Sequence, residues 1–143
     1  MTQKDLKYHL TYLKMATEWS VLSCCKRKKV GALIVKDGTI ISDGFNGTPK
    51  GFPNDCEDAN GDTHWYVLHA EANAILKVAK STNNTEGSTL YLTHSPCKDC
   101  SKLILQSGIK RVVYMDAYKD KSGLDFLTNA GVIITQLNTI DHV

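Results

Sequence analysis

Thr89-Leu90-Tyr91-Leu92-Thr93, followed by His94-Ser95-Pro96-Cys97-Lys98-Asp99-Cys100, is the stretch from which the rest of the chain can be read. The first five residues are mostly β-formers and read as a short strand. Pro96 suits the first turn of a helix, where its missing N–H is no loss. Leu103, Ile104 and Leu105 carry that helix on to Gly108. A strand therefore runs into a helix whose opening turn presents Cys97 and Cys100. Residues three apart share a helix face. The positive end of a helix also favours the thiolate that metals bind.

On either side the periodicities are plain. Leu6, Leu10, Leu13, Ala16 and Val21 recur at helical spacing. Val30 to Val35 is a compact apolar run, Lys36-Asp37-Gly38 a turn, and Thr39 to Ser42 a second strand, which together predict a hairpin. Gly44 to Gly61 is rich in Gly, Pro, Asn and Asp and reads as a long irregular loop of the functional kind. Val67, Ala70, Ala74, Ile75 and Val78 restore the helical period, and Asn83-Asn84-Thr85 ends it. Past Gly108 come a strand at Val112–Met115, a short helix at Leu124–Leu127 closed by Asn129 and Gly131, and a strand from Val132 to Leu137. The order α-β-β-α-β-α-β-α-β predicts an α/β sheet with helices packed on it.

The 143 residues predict a single domain, 1–143. A net charge of +2 is too mild to argue for nucleic acid or a membrane surface as partner. No apolar run approaches the ~18 residues of a membrane span. The opening Met1-Thr2-Gln3-Lys4-Asp5 lacks the apolar segment of a signal peptide. Five cysteines is an odd number, two of them in a C-x-x-C, so reduced, metal-binding thiols are expected in a cytosolic chain.

His69-Ala70-Glu71 supplies what the cysteine pair lacks. One imidazole and two thiolates are three ligands, which leaves the fourth position of zinc open to water, as in a catalytic site. Glu71 is poised to move that water's proton. The pattern H-x-E…P-C-x-x-C matches the signature of zinc-dependent base deaminases. A redox C-x-x-C, or a closed structural zinc completed by His94 or His64, are the other readings. Glu71 and Pro96 favour the catalytic one, since both stand where the deaminase pattern asks.

Five segments extend the likeness: Val30-Gly31-Ala32-Leu33-Ile34-Val35, Gly44-Phe45-Asn46-Gly47-Thr48-Pro49, His69 to Ile75, Pro96 to Cys100, and Gln106-Ser107-Gly108-Ile109. From about Ser20 to Gly131 the chain resembles the deoxycytidylate (dCMP) deaminases. The usual Gly-Tyr-Asn-Gly of that family is here Gly-Phe-Asn-Gly, so Phe45 keeps the ring without the hydroxyl. The resemblance implies a three-layer α/β/α fold around a five-stranded mixed sheet. It implies a hydrolase that converts dCMP to dUMP and ammonia in the cytoplasm, or the host cytoplasm if viral, supplying thymidylate synthesis. Asn46 is implied at the sugar, with Ala70 and Ser95 lining the substrate. A Ser-x-Cys-x-Arg stretch, here Ser23-Cys24-Cys25-Lys26-Arg27, makes Arg27 the candidate for the phosphate, with Tyr118 a weaker one. A solvated charge within the Lys26–Lys29 run and a purely turn-forming Asn46 are the plainer alternatives.

Some members carry a second, structural zinc. Here it would combine Cys24 or Cys25 with Cys56 and His64, only one of the adjacent cysteines being expected to bind; idle thiols are the alternative. Many members are homohexamers that dCTP activates and dTTP inhibits, with Mg2+. The residues to which that regulation maps are Gly44, Phe45, Asn46, Gly47 and Lys50, whose amides could form an anion-binding nest. A deaminase acting on bases within tRNA or single-stranded DNA, or a non-enzymatic zinc-stabilised accessory protein, are competing functions. The single basic run speaks against the first and Glu71 against the second.

Overall fold

The computed structural model describes residues 1–138. Helix α1 (Gln3–Ser20) opens on a capping box, Thr2 with Asp5, that satisfies two otherwise unpaired N–H groups. Strands β1 (Gly31–Lys36) and β2 (Thr39–Phe45) form the predicted hairpin. Asp37 and Gly38 both take positive φ, at 50° and 75°, as a two-residue hairpin turn requires. Helix α2 (Ala70–Ala79), β3 (Thr89–His94), α3 (Lys98–Gln106), β4 (Arg111–Asp116), α4 (Ser122–Asn129) and β5 (Ile133–Gln136) follow.

The strands make one mixed sheet in the order β2-β1-β3-β4-β5. β1 runs antiparallel to both β2 and β3, while β3, β4 and β5 are parallel. Side-chain alternation sorts the core into two layers. Ala32, Ile34, Leu90, Leu92, Val112 and Tyr114 face α2, α3 and α4. Leu33, Val35, Tyr91 and Val113 face α1, meeting Leu13 and Ala16. The three-layer α/β/α architecture is the one expected.

Three local details differ from the sequence reading. Val67 and Leu68 lie outside α2, because Leu68 forms a β-bridge with Gly47 and His69 is the extended N-cap. Pro96 lies before the N-cap Cys97 rather than in the first turn of α3. Gly44 belongs to β2 rather than to a loop. A Cβ there would lie 2.4 Å from the carbonyl oxygen of Ala70, so the glycine lets α2 sit close on the strand.

The topology gathers chain ends at one edge. Because β1 is antiparallel to β3, its start lies beside the end of β3, and the Gly31 N–H donates to Thr93 Oγ1 at 3.1 Å. The ends of β2 and β4 come to the same edge through their pairing with β1 and β3. Residues 27–30, 45–47, 94–97 and 118 are thereby brought together at strand ends, where open α/β sheets bind ligands.

Candidate active site

His69 and Cys97 are the N-caps of α2 and α3, and Glu71 and Cys100 stand within the opening turns. Both helix N-termini aim at one point. His69 Nδ1 lies 3.3 Å from Cys100 Sγ and 3.6 Å from Cys97 Sγ. Cys97 Sγ also accepts the Cys100 N–H at 3.4 Å, as a capping side chain does. The three ligand atoms lie within 4.8 Å of one another. Two sulfurs and an imidazole nitrogen at that separation fit zinc and leave its fourth position free.

Hydrogen bonds set the charge states of the donors. Cys97 is held down to about 4, first by its hydrogen bond with Cys100 and then by that with His69. Cys100 is pushed up by the same bond with Cys97 and by burial. His69 is raised, chiefly by its hydrogen bond with Cys97. Burial pushes the Glu71 carboxyl up to about 7. Only 4% of Glu71 is exposed, so its carboxyl is screened from bulk water.

His69, Glu71 and Cys97 line a cavity of about 280 Å³ whose wall also includes Arg27, Lys28, Asn46, Glu57, His94 and Tyr118. Ala70 and Ser95 line it too. Every residue expected at the substrate is therefore brought to one place. Asn46 is committed as well as adjacent. Its Oδ1 accepts the Val30 N–H at 2.9 Å and its Nδ2 donates to the Lys28 carbonyl at 2.8 Å. Ser95 Oγ accepts the Tyr118 N–H at 3.0 Å, which ties the turn after β4 to the cavity.

Glu57 was not anticipated. Its carboxylate accepts the Lys26 N–H at 3.1 Å and the Arg27 N–H at 3.4 Å, so it fixes the backbone that carries Arg27. Its position beside Cys56 is the one signal in the sequence. Lys28 was missed for a different reason, being hidden in a run of four basic residues.

The second cysteine cluster differs from expectation in three respects. Cys25 and Cys56 are joined in a disulfide, where reduced thiols were expected. Cys24 Sγ nevertheless lies 3.5 Å from Cys56 Sγ, so both adjacent cysteines converge instead of one. Neighbouring side chains diverge in extended backbone, but here the chain is turning, pinned by Glu57 and by the Ser23 hydroxyl that accepts the Cys25 N–H. His64 is not part of the sulfur cluster: its ring stacks on Tyr66 at 4.8 Å.

The loop expected to make an anion nest has two of its amides occupied. The Asn46 N–H donates to the Val30 carbonyl at 3.3 Å and the Gly47 N–H to that of Leu68 at 3.1 Å. Lys50 is exposed. No helix among the described residues is long and apolar enough to cross a membrane.

The family model for the cytidine and deoxycytidylate deaminase zinc-binding region matches residues 3–116. The deoxycytidylate deaminase of Enterobacteria phage T4 is 39% identical, over 85% of this chain and 86% of its own length. ComE operon protein 2 of Bacillus subtilis is 40% identical, over 80% of this chain and 63% of its own. The crystal structure of dCMP deaminase from the cyanophage S-TIM5, in complex with dCMP and dUMP, superposes with a TM-score of 0.89 at 46% identity. That match covers 96% of this chain and 99% of the other.

Proposed function

The chain belongs to the cytidine and deoxycytidylate deaminase family, and from that premise we propose that it hydrolyses dCMP to dUMP and ammonia. The observation that carries the reading is the shared cavity. Its lining includes His69, Cys97 and Glu71 together with Arg27. A volume of about 280 Å³ is of the size that takes one small ligand or a single nucleotide.

His69, Cys97 and Cys100 would hold the zinc, which supplies the Lewis acidity that brings water to ionise near neutral pH. Glu71 does the proton work. It accepts a proton from the water that adds to C4 of the cytosine ring. It delivers that proton to the ring nitrogen, then takes the proton of the new C4 hydroxyl and passes it to the departing ammonia as the C–N bond breaks and the carbonyl forms. The balance is one water consumed and one ammonia released for each dUMP formed. Arg27 presents a fork of donors to the 5′-phosphate, and Asn46 meets the sugar.

Three finer readings accompany this. With Cys25 and Cys56 reduced, the sulfurs of Cys24, Cys25 and Cys56 are close enough to hold a second, structural zinc. The enzyme is a cytoplasmic homohexamer feeding dUMP to thymidylate synthesis. It is activated by dCTP and inhibited by dTTP with Mg2+ at the Gly44–Gly51 segment, where Lys50 offers an exposed charge. The Gly47–Leu68 bridge gives such an effector a route to the site, since Leu68 immediately precedes His69.

The direct test is ammonia release from dCMP, deoxycytidine, dCTP and a deoxycytidine-containing oligonucleotide, offered separately. Turnover confined to or strongly favouring dCMP supports the reading. Turnover of the oligonucleotide alone, or of nothing by zinc-loaded protein, overturns it.

A further inference from the structure

Lys28 does not behave like its neighbours in the Lys26–Lys29 run. Its Nζ lies 4.1 Å from the centroid of the Tyr118 ring. That ring stacks in turn on His94, at 5.7 Å and an interplanar angle of 30°. All three side chains border the cavity that holds His69 and Glu71.

The backbone beneath Lys28 and Tyr118 is held by hydrogen bonds. Asn46 Nδ2 bonds the Lys28 carbonyl, which fixes the backbone from which the lysine springs. Ser95 Oγ holds the backbone of Tyr118. A lysine on a charged surface run ordinarily extends its ammonium into water. Here the ammonium is laid over a π-face that attracts it without neutralising it. Ion pairs among the described residues are Lys77 with Asp43 and Lys102 with Asp99, so no carboxylate partner takes up the Lys28 charge. The stack adds no competing cation, because burial, and then Lys28 itself, hold His94 below the usual histidine range.

An uncancelled cation on the wall of a cavity attracts an anionic part of the ligand. The guanidinium of Arg27, bound edge-on, engages two oxygens of a phosphate. A compact ammonium is suited to the third. We propose that Lys28, braced on the Tyr118–His94 stack, is the second cation for the 5′-phosphate and so helps set the preference for nucleotide over nucleoside. This inference rests on the mononucleotide reading of the cavity. It assigns Tyr118 a positioning role, exercised through its ring.

The test compares zinc-loaded wild type with Lys28→Gln, Lys28→Arg, Tyr118→Leu and Tyr118→Phe. Steady-state kinetics on dCMP and deoxycytidine are paired with calorimetric binding of dUMP, which needs no turnover. Lys28→Gln should weaken dUMP binding, and should raise KM for dCMP roughly tenfold more than KM for deoxycytidine, as expected when one charge-assisted hydrogen bond is removed. Lys28→Arg should restore most of the affinity. Tyr118→Leu should move in the direction of Lys28→Gln, and further than Tyr118→Phe. Equal effects on both substrates, or unchanged dUMP affinity in Lys28→Gln, overturn the assignment. If wild type prefers dCMP and Lys28→Gln keeps that preference, only the role of Lys28 falls. If wild type makes no distinction between the two substrates, the mononucleotide reading falls and takes this inference with it.

Discussion

His69 Nδ1 and Cys100 Sγ lie 3.3 Å apart although 31 residues separate them in the chain. They meet because α2 and α3 begin at the same edge of the sheet and point their N-termini at each other's caps. A site held this way depends on both helices being seated, so metal binding and folding are linked.

Cys97→Ala should therefore lose zinc and thermal stability together. Metal analysis by mass spectrometry beside thermal unfolding checks this. His69→Ala, prepared under reductant, separates the two clusters. About one zinc retained per chain supports a second site at Cys24, Cys25 and Cys56; none retained removes it. Full zinc and full stability in Cys97→Ala would contradict the ligand assignment.

Arg27→Ala should raise KM for dCMP by roughly ten- to a hundredfold, the scale expected when a charge-assisted hydrogen bond is removed. The effect on dCMP should exceed the effect on deoxycytidine. Equal effects on both would place Arg27 away from the phosphate.

The contribution of His9 to stability should fall as pH is lowered from about 7.5 to about 5.5, whereas Glu71 and His69, whose pKa values are raised, contribute with the opposite sign. His9 is buried, and its pKa is lowered from 6.5, first by burial and then by Arg111, against a weaker opposing pull from Asp5. Its Nδ1 meets the Tyr91 hydroxyl at 2.7 Å and its Nε2 faces Arg111. A base whose folded pKa is depressed contributes stability above the unfolded value of 6.5. That contribution disappears as pH falls from there through the folded value. Denaturant unfolding should show the stability of wild type relative to His9→Gln declining as pH falls across this range. His94, depressed in the same direction, is present in both proteins and cancels in that difference.

The central strand–helix stretch was legible because its signals are local. Alternation in Leu90-Tyr91-Leu92 assigns two faces, and these are the two core layers observed. The convergence of His69, Cys97 and Cys100 was legible because the short spacings H-x-E and C-x-x-C each fall at the start of a helix. Glu57, Lys28 and the convergence of Cys24 with Cys25 and Cys56 were not legible, since each depends on where a distant loop folds back. Gly44 misled for a related reason. A glycine that admits a neighbouring helix looks, in sequence, like one that loosens a loop.

Regulation should appear as sigmoidal velocity against dCMP that becomes hyperbolic with dCTP and is suppressed by dTTP when Mg2+ is present. Two effectors can act oppositely only if each prefers a different arrangement of the Gly44–Gly51 segment. A coupling of about 1–3 kcal/mol would be ordinary. Rates indifferent to both triphosphates, in assembled and zinc-loaded protein, would remove the regulatory reading and leave the catalytic one standing.

On the reading above, Glu71 moves the protons of dCMP hydrolysis at a zinc held by His69, Cys97 and Cys100. Ammonia release from dCMP by wild type and by Glu71→Gln, both verified to carry zinc and to unfold at comparable temperatures, tests it most directly. In the variant kcat should fall by about 10²- to 10⁴-fold, the contribution of a positioned acid–base group. Substantial turnover by zinc-loaded Glu71→Gln would contradict it.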